Sequence, residues 1–209
     1  MKVDWLIVGA GFSGCVLAER IATQLGQKVL LVEKRDHIGG NAFDYYNEHG
    51  ILVHKYGPHI FHTKSKKVWD YLSEFTEWRH YFHHVLGVIE GKKVPIPFNL
   101  NSLYELFPPH YAQKLEDLLL QNFGFGVKVP ILKLRESTSG DLGFLAEYIY
   151  NNVFLRYTTK QWGLKPEELD SGVTGRVPVY ISRDNRYFQD PYQAMPKLGY
   201  TEMFRRMLS

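Results

Sequence analysis

Residues 3–34, VDWLIVGAGFSGCVLAERIATQLGQKVLLVEK, carry the main signal for the fold. Val3 to Val8 is a short, mostly apolar run, suited to a strand buried on both faces. Gly9, Gly11 and Gly14 follow in the G-x-G-x-x-G spacing. Leu17, Ile21 and Leu25 then recur every four residues with Ala18 and Ala22 beside them, which is a helical period, and Gly26 offers a left-handed stop. KVLLV at 28–32 reads as a second strand running into Glu33.

Strand, glycines, helix, strand and acid in this order form a dinucleotide-binding unit. Gly9 permits a tight turn, Gly11 lets a pyrophosphate approach the backbone, and Gly14 lets helix and strand pack closely. Phe12 and Ser13 open the helix, whose first N–H groups and positive dipole end face the phosphates. Glu33 stands nineteen residues after Gly14, where a carboxylate accepts from both hydroxyls of an unphosphorylated adenosine ribose. That favours FAD or NAD over NADP. A second glycine pair, Gly39 and Gly40, follows in EKRDHIGGN and gives the backbone another close approach to a ligand. A nicotinamide domain would return to its parallel sheet soon after. Here the turn-rich, aromatic stretch 43–63 intervenes, which favours a flavin. Cys15, just inside the helix, is read as a packing residue rather than a reactive thiol.

Composition narrows the classes. The chain has 209 residues, 44% of them hydrophobic, enough for a sizeable core in one or two domains. Its net charge is +3, with Lys and Arg scattered except at KSKK 64–67, so no footprint for nucleic acid is visible. The first apolar run, WLIVGAG, is too short to cross a bilayer and lacks the flanks of a signal peptide. A single cysteine leaves no internal disulfide framework or Cys-rich zinc site, and a cytoplasmic location is expected. Aromatic content is 15%, with 14 Tyr and 4 Trp, side chains that also stack on planar ligands.

Three histidines, His54, His59 and His62, crowd HKYGPHIFHT at 54–63. On one straight strand His54 and His62 would lie about 26 Å apart, and no acidic or cysteine partner stands near them, so no metal is expected. His54 reads as a strand residue with a satisfied ring. Further on, 81–98 reads as a hairpin with Gly91 at its turn and Pro95 and Pro97 marking an edge strand. From about 101 the pattern is helical, with a cap expected at Asn101 or Ser102, Leu115, Leu118 and Leu119 at helical spacing, and Gly124 as a stop.

The motifs GAGFSG, EKRDHIGGN, HKYGPHIFHT, YTTKQWG, GRVPV, RDNRYF and YQAMP together resemble the bacterial UDP-galactopyranose mutases, from residue 1 to about 205. The first two occur in many FAD proteins; HKYGPHIFHT and YTTKQWG are far more specific. The resemblance implies an α/β, Rossmann-like FAD-binding fold with an inserted helical domain and a small antiparallel sheet. Its parts would be an FAD-binding segment 1–80 including the flavin-facing turn 54–63, a hairpin 81–100, a helical insertion 101–162, and a return 163–209. It implies an enzyme interconverting UDP-galactopyranose and UDP-galactofuranose, by attack of reduced flavin N5 on the anomeric carbon with UDP as leaving group. FAD would contact Gly9, Gly11, Phe12, Ser13, Gly14, Glu33, Lys34, Gly40, Asn41, Gly57, His59, Ile60 and His62. UDP-galactose would contact Phe154, Tyr157, Thr158, Trp162, Arg176 and Tyr187, with Tyr157 stacking on uracil and Arg176 gripping the pyrophosphate. Arg176, His59 and Tyr187 would serve catalysis. A flavin-reducing system using NADPH or NADH is implied as a partner, a homodimer is compatible at full length, and neither nucleic acid nor membrane is expected.

Three departures stand out. Pro58 occupies a turn position where small residues also occur, Leu198 stands where YQAMPKLGYT would carry a first glycine, and mutases are nearly twice as long. The chain is therefore expected to correspond to the N-terminal part of such an enzyme. The rival readings are an amine-oxidase-type flavoenzyme, which shares the glycines and Glu33 but has no need of KQWG followed by Arg176, and a non-catalytic flavin-binding fragment.

Overall fold

The computed structural model describes residues 2–137, 140–165, 168–169 and 177–209, except the side chains of residues 156, 161 and 162. The chain forms two compact units: residues Met1–Phe82 with Phe188–Ser209, and residues His83–Tyr187.

The first unit begins with β1 (Trp5–Val8), α1 (Phe12–Leu25) and β2 (Val29–Val32). The strands pair in parallel with Leu6 opposite Leu30 and Val8 opposite Val32. As expected, α1 ends at Gly26 in the left-handed conformation, whose N–H bonds the Ile21 carbonyl. An antiparallel pair follows, β3 (Asp44–Tyr46) with β4 (Leu52–His54). Next come β5 (Phe61–Thr63), α2 (Lys66–Ser73) and β6 (Trp78–His80). Ser65 caps α2 by accepting from the Val68 N–H.

The second unit opens on a hairpin, β7 (Val85–Ile89) and β8 (Lys92–Ile96). Glu90 and Gly91 both have positive φ, 51° and 79°, the tight turn that matches strand twist. Then come α3 (Leu100–Leu106) and α4 (Pro109–Phe123). The cap of α3 is Asn99, not Asn101 or Ser102. Asn99 accepts from the N–H groups of Asn101 and Ser102, while Ser102 Oγ accepts from the Asn99 N–H, a reciprocal box that starts the helix earlier. Pro109 opens α4, where its missing N–H costs nothing, and Gly124 closes it. The unit continues through β9 (Lys128–Val129), α5 (Ile131–Arg135), α6 (Gly140–Ile149), a π-turn at Tyr150–Phe154, and α7 (Leu155–Trp162). Finally β10 (Val179–Tyr180) pairs antiparallel with β9. Its core is aliphatic, with Leu103, Leu115, Ile131, Leu145 and Ile149 fully buried. At its edge the mostly buried Glu116 accepts from Arg183 Nη2 through both oxygens, at 2.8 and 2.7 Å.

The chain then returns to complete the first unit. The strand β11 (Tyr192–Pro196) enters between β5 and β6, antiparallel to both. The helix α8 (Tyr200–Met207) places Tyr200, Met203, Phe204 and Met207 against Ala10, Cys15, Ala42 and Leu72. Ala10 and Cys15 meet helix residues far along the chain, which makes α8 a clamp on the glycine-rich loop.

One expectation is corrected. The run 3–8 reads as a strand buried on both faces, yet β1 is largely exposed. Among the described residues β1 and β2 pair only with each other. One face packs on α1, where Ile7 lies near Gly14. On the other, Leu6, Val8, Leu30 and Val32 are 61, 79, 40 and 37% exposed. A parallel sheet ordinarily has both faces covered, so the apolar pattern anticipates a cover that these residues do not supply. Replacing Leu6 and Val8 together by Thr is accordingly expected to change the urea-unfolding free energy of this chain by less than about 1 kcal/mol. A loss of about 3 kcal/mol, typical of truncated core positions, would show that the face is buried in solution.

Candidate functional site

In the first unit the glycine-rich loop leads into α1, and its three glycines are required for three different reasons. Gly9 has φ +102°, a conformation that residues with a side chain rarely adopt. At Gly14 a Cβ would lie 1.8 Å from the Gly9 carbonyl oxygen, so the loop packs directly on the helix there. Gly11 is different. Its φ is −85°, and a Cβ there would meet only Gly40 Cα at 3.8 Å. Among the described residues nothing forbids a side chain at Gly11, and the backbone there is open to approach. Phe12 packs edge-on against Phe204 and Tyr200, and Ser13 is exposed. No side chain caps the start of α1 and no acid stands in its first turn, which leaves its N–H groups and dipole available to an anion.

The second glycine pair docks on the first. The Gly39 N–H donates to the Ala10 carbonyl at 2.7 Å, and a Cβ on Gly40 would approach Gly11 Cα to 3.0 Å. Glu33 accepts through one oxygen from the Ala10 N–H at 2.7 Å and through the other from the Arg35 N–H at 3.0 Å. These bonds hold its carboxyl below the usual range, so it is an anion at neutral pH with lone pairs still free. Lys34 is exposed beside it. Asn41 accepts from Arg35 Nη2 at 3.0 Å. Cys15 is fully buried, lies 3.3 Å from the Ala10 carbonyl, and its thiol is pushed up to about 11 by burial and then by Glu33. It packs, as its sequence position suggests.

The histidine stretch folds back on itself. Gly57 has φ +97°, and the His59 ring nitrogen Nδ1 lies 3.0 Å from the Gly57 carbonyl. The His59 N–H reaches His54 Nδ1 at 3.4 Å, and the two rings stack 6.5 Å apart. Burial, more than any charge, pulls the His54 imidazole below its ordinary value. Ile60 is half-buried beyond the turn. On β5, His62 stacks on Phe188 at 3.7 Å, and its Nδ1 lies 2.5 Å from Asp190 Oδ2. Among the described residues no group of three His, Cys, Asp or Glu side chains is arranged to hold a metal. Leu198, the departure noted above, lines a cleft of about 420 Å³ with Phe43, Asp44, Tyr46 and Arg205.

In the second unit Phe154 and Thr158 are buried, whereas Tyr157 is 54% exposed. Tyr187 is half-buried, and burial, with the Tyr157 charge second, raises its hydroxyl pKa. The Tyr187 N–H donates 2.7 Å to the His83 carbonyl, and the rings meet edge-on. The side chain of Trp162 and the whole of Arg176 lie outside the described residues. Three partners escape sequence reasoning: His83 for Tyr187, Asp190 for His62, and Arg35 for Asn41. Only Arg35 carried a local signal, since it stands within EKRDHIGGN.

Two family models match the chain, an NAD(P)-binding Rossmann-like domain over residues 7–75 and UDP-galactopyranose mutase over residues 152–209. A probable UDP-galactopyranose mutase of Klebsiella pneumoniae is 38% identical over 95% of this chain. The chain is homologous to the UDP-galactopyranose mutases. It spans about half the length of these relatives, 51% of the Klebsiella protein. A dTDP-fucopyranose mutase of Escherichia coli is 33% identical over 98% of this chain and 53% of its own length. Among solved structures, a reduced UDP-galactopyranose mutase superposes with a TM-score of 0.66 at 19% identity, covering 99% of this chain and 46% of that one, a likeness of fold. The glycine loop falls in the Rossmann match, and Tyr157 to Tyr187 fall in the mutase match.

Proposed function

We propose that this chain holds FAD and a nucleotide-sugar in a mutase that interconverts UDP-galactopyranose and UDP-galactofuranose. The observation that carries the reading is the open space at Gly11, kept beside an uncapped helix N-terminus, in a chain homologous to mutases along its length. The glycine loop and Gly40 fit a dinucleotide: the backbone is stripped of side chains where a pyrophosphate would lie, and Glu33 is ionised where a ribose would lie. Bound and reduced, the flavin supplies a nucleophilic nitrogen for the anomeric carbon. The rest is positioning and charge. The Gly57 turn with His59 and His62 lines the ring. Tyr157, exposed above the buried Phe154, offers the stacking surface for the base. Arg176, always cationic, takes the role of forked donor to the departing diphosphate, and Tyr187 that of a further hydroxyl donor to the substrate. No side-chain general base is needed. The reductant using NADPH or NADH, the homodimer and the cytoplasmic site belong to the same reading; among the described residues no helix is long and apolar enough to cross a membrane.

The homology to a dTDP-fucopyranose mutase makes the sugar and base the specific question. Thermal unfolding of the FAD-loaded protein tests both points. UDP-galactose at a hundredfold excess over Kd is expected to stabilise by about 2.7 kcal/mol, with dTDP-fucose weaker and benzylamine without effect. Protection by the amine and none by either nucleotide-sugar would transfer the protein to the amine-oxidase reading.

A further inference from the structure

The turn at 188–190 is built around one ring. Gln193 stands on β11 opposite His62 on β5 and is 1% exposed. Its Nε2 donates to the carbonyls of Phe188 and Asp190, at 3.1 and 2.7 Å, which ties the turn back to the strand. The turn in its place delivers two side chains to His62. Phe188 stacks on the imidazole, the centroids 3.7 Å apart and the planes 14° from parallel. Asp190 Oδ2 lies 2.5 Å from Nδ1. The ring is held across its face and at one edge; flipped over, it would keep the stacking and lose the carboxylate. An ion pair formed only to decorate a surface needs no buried amide behind it.

The arrangement also decides where the proton sits. A carboxylate at neutral pH only accepts, so Nδ1 carries the hydrogen and the neutral ring has its lone pair on Nε2. The His62 side chain remains 36% exposed, and among the described residues only its Nδ1 is bonded. We propose that Asp190 is a positioning residue that fixes the His62 tautomer and offers Nε2 as an acceptor to an N–H of the flavin ring or a hydroxyl of the sugar. This rests on the mutase reading above, which puts His62 beside the flavin, and adds to it a residue lying between RDNRYF and YQAMP. The bond holds the donor group in place and removes no proton, in keeping with a reaction that needs no side-chain base.

Two measurements test this on the wild type, Asp190→Asn, His62→Gln and the double variant. Long-range proton–nitrogen NMR of the imidazole reads the tautomer. Titration with FAD, then with UDP-galactose on the FAD-loaded protein, reads the ligand. The wild type is expected in the Nδ1–H form. In Asp190→Asn the Nε2–H form should appear, because an amide donates to Nδ1 as readily as it accepts. One of the two affinities should fall about tenfold, and which one falls tells flavin from sugar. With His62 already replaced by Gln, Asp190→Asn should cost less than about twofold more. An Nε2–H wild type, undiminished affinity for both ligands in Asp190→Asn, or the full loss in the absence of His62 would each overturn the proposal. If Asp190→Asn does not fold, the wild-type spectrum and His62→Gln decide. The Nδ1–H form with a tenfold loss sustains it, and the Nε2–H form or unchanged affinity overturns it. A wild type that binds neither ligand would remove the mutase reading itself, whereas equal binding by the wild type and Asp190→Asn would remove Asp190 alone.

Discussion

Gly14→Ala and Gly11→Ala, two substitutions three residues apart, will have opposite consequences. At Gly14 the new methyl would sit 1.8 Å from the Gly9 carbonyl oxygen, a backbone atom of a loop whose own φ of +102° leaves it little freedom to retreat. Helix and loop must separate, and with them the contact of α1 with β1. A loss of about 3 kcal/mol or more is expected, at the upper end of overpacking, seen as a lowered urea midpoint. At Gly11 the methyl meets only Gly40 Cα at van der Waals distance, and the φ of −85° suits alanine. That variant should unfold like the wild type, within about 0.5 kcal/mol, but lose FAD affinity because the methyl occupies the pyrophosphate path. Stable folding of Gly14→Ala would mean that the loop is built differently. Undiminished FAD binding by Gly11→Ala would mean that the ligand passes elsewhere.

The second large effect concerns Asp44 and the clamp helix. Asp44 is a buried carboxylate at the start of β3. Its two oxygens accept from the N–H groups of Tyr200 and Thr201, at 2.7 and 2.8 Å, across 156 and 157 residues of sequence. Thr201 Oγ1 donates back to the Asp44 carbonyl at 2.7 Å. The carboxylate thus meets the positive end of α8 and satisfies two of its orphan donors. Room for it depends on Gly199, where a Cβ would fall 2.6 Å from an Asp44 oxygen. Asp44→Ala leaves two buried N–H groups without acceptors, and about 3 kcal/mol of stability should go with them. Asp44→Asn keeps one acceptor but turns an NH₂ toward a donor, so about 2 kcal/mol is expected. Urea unfolding reads both. Because α8 packs Phe204 onto Phe12 beside the glycine loop, the same variants should also weaken FAD binding. Equal stability of Asp44→Ala and the wild type would show that α8 is held by its apolar face alone.

Much of this was legible in the residues because its causes are local. The strand–glycine–helix–strand order of 5–32, the stop at Gly26, the turn at Gly91 and the limits of α4 rest on dihedral preference and period, which act over a few positions. The expected cap of α3, Asn101 or Ser102, lies two or three residues late because Asn99 and Ser102 cap each other and the helix starts at Leu100. The spacing of GAGFSG already assigned Gly9 to the turn and Gly14 to close packing, and the structure adds the atoms that stand opposite each. Whether a glycine is needed for φ, for a neighbour's carbonyl or for a ligand depends on what stands opposite it.

The chain's own order of residues is enough to make the dinucleotide unit recognisable, since the β1–β2 pairing, the stop at Gly26 and the Glu33–Ala10 bond all fall within 5–33, although α8 packs on its loop from far along the chain. The fold alone settled what lies far apart in the chain, Asp44 under α8 and Asp190 on His62, and which strand face stays bare in β1 and β2. Apolar periodicity says that a side chain avoids water, not what will cover it. Pairings between residues more than a hundred positions apart follow from how whole elements pack, and no local pattern encodes them.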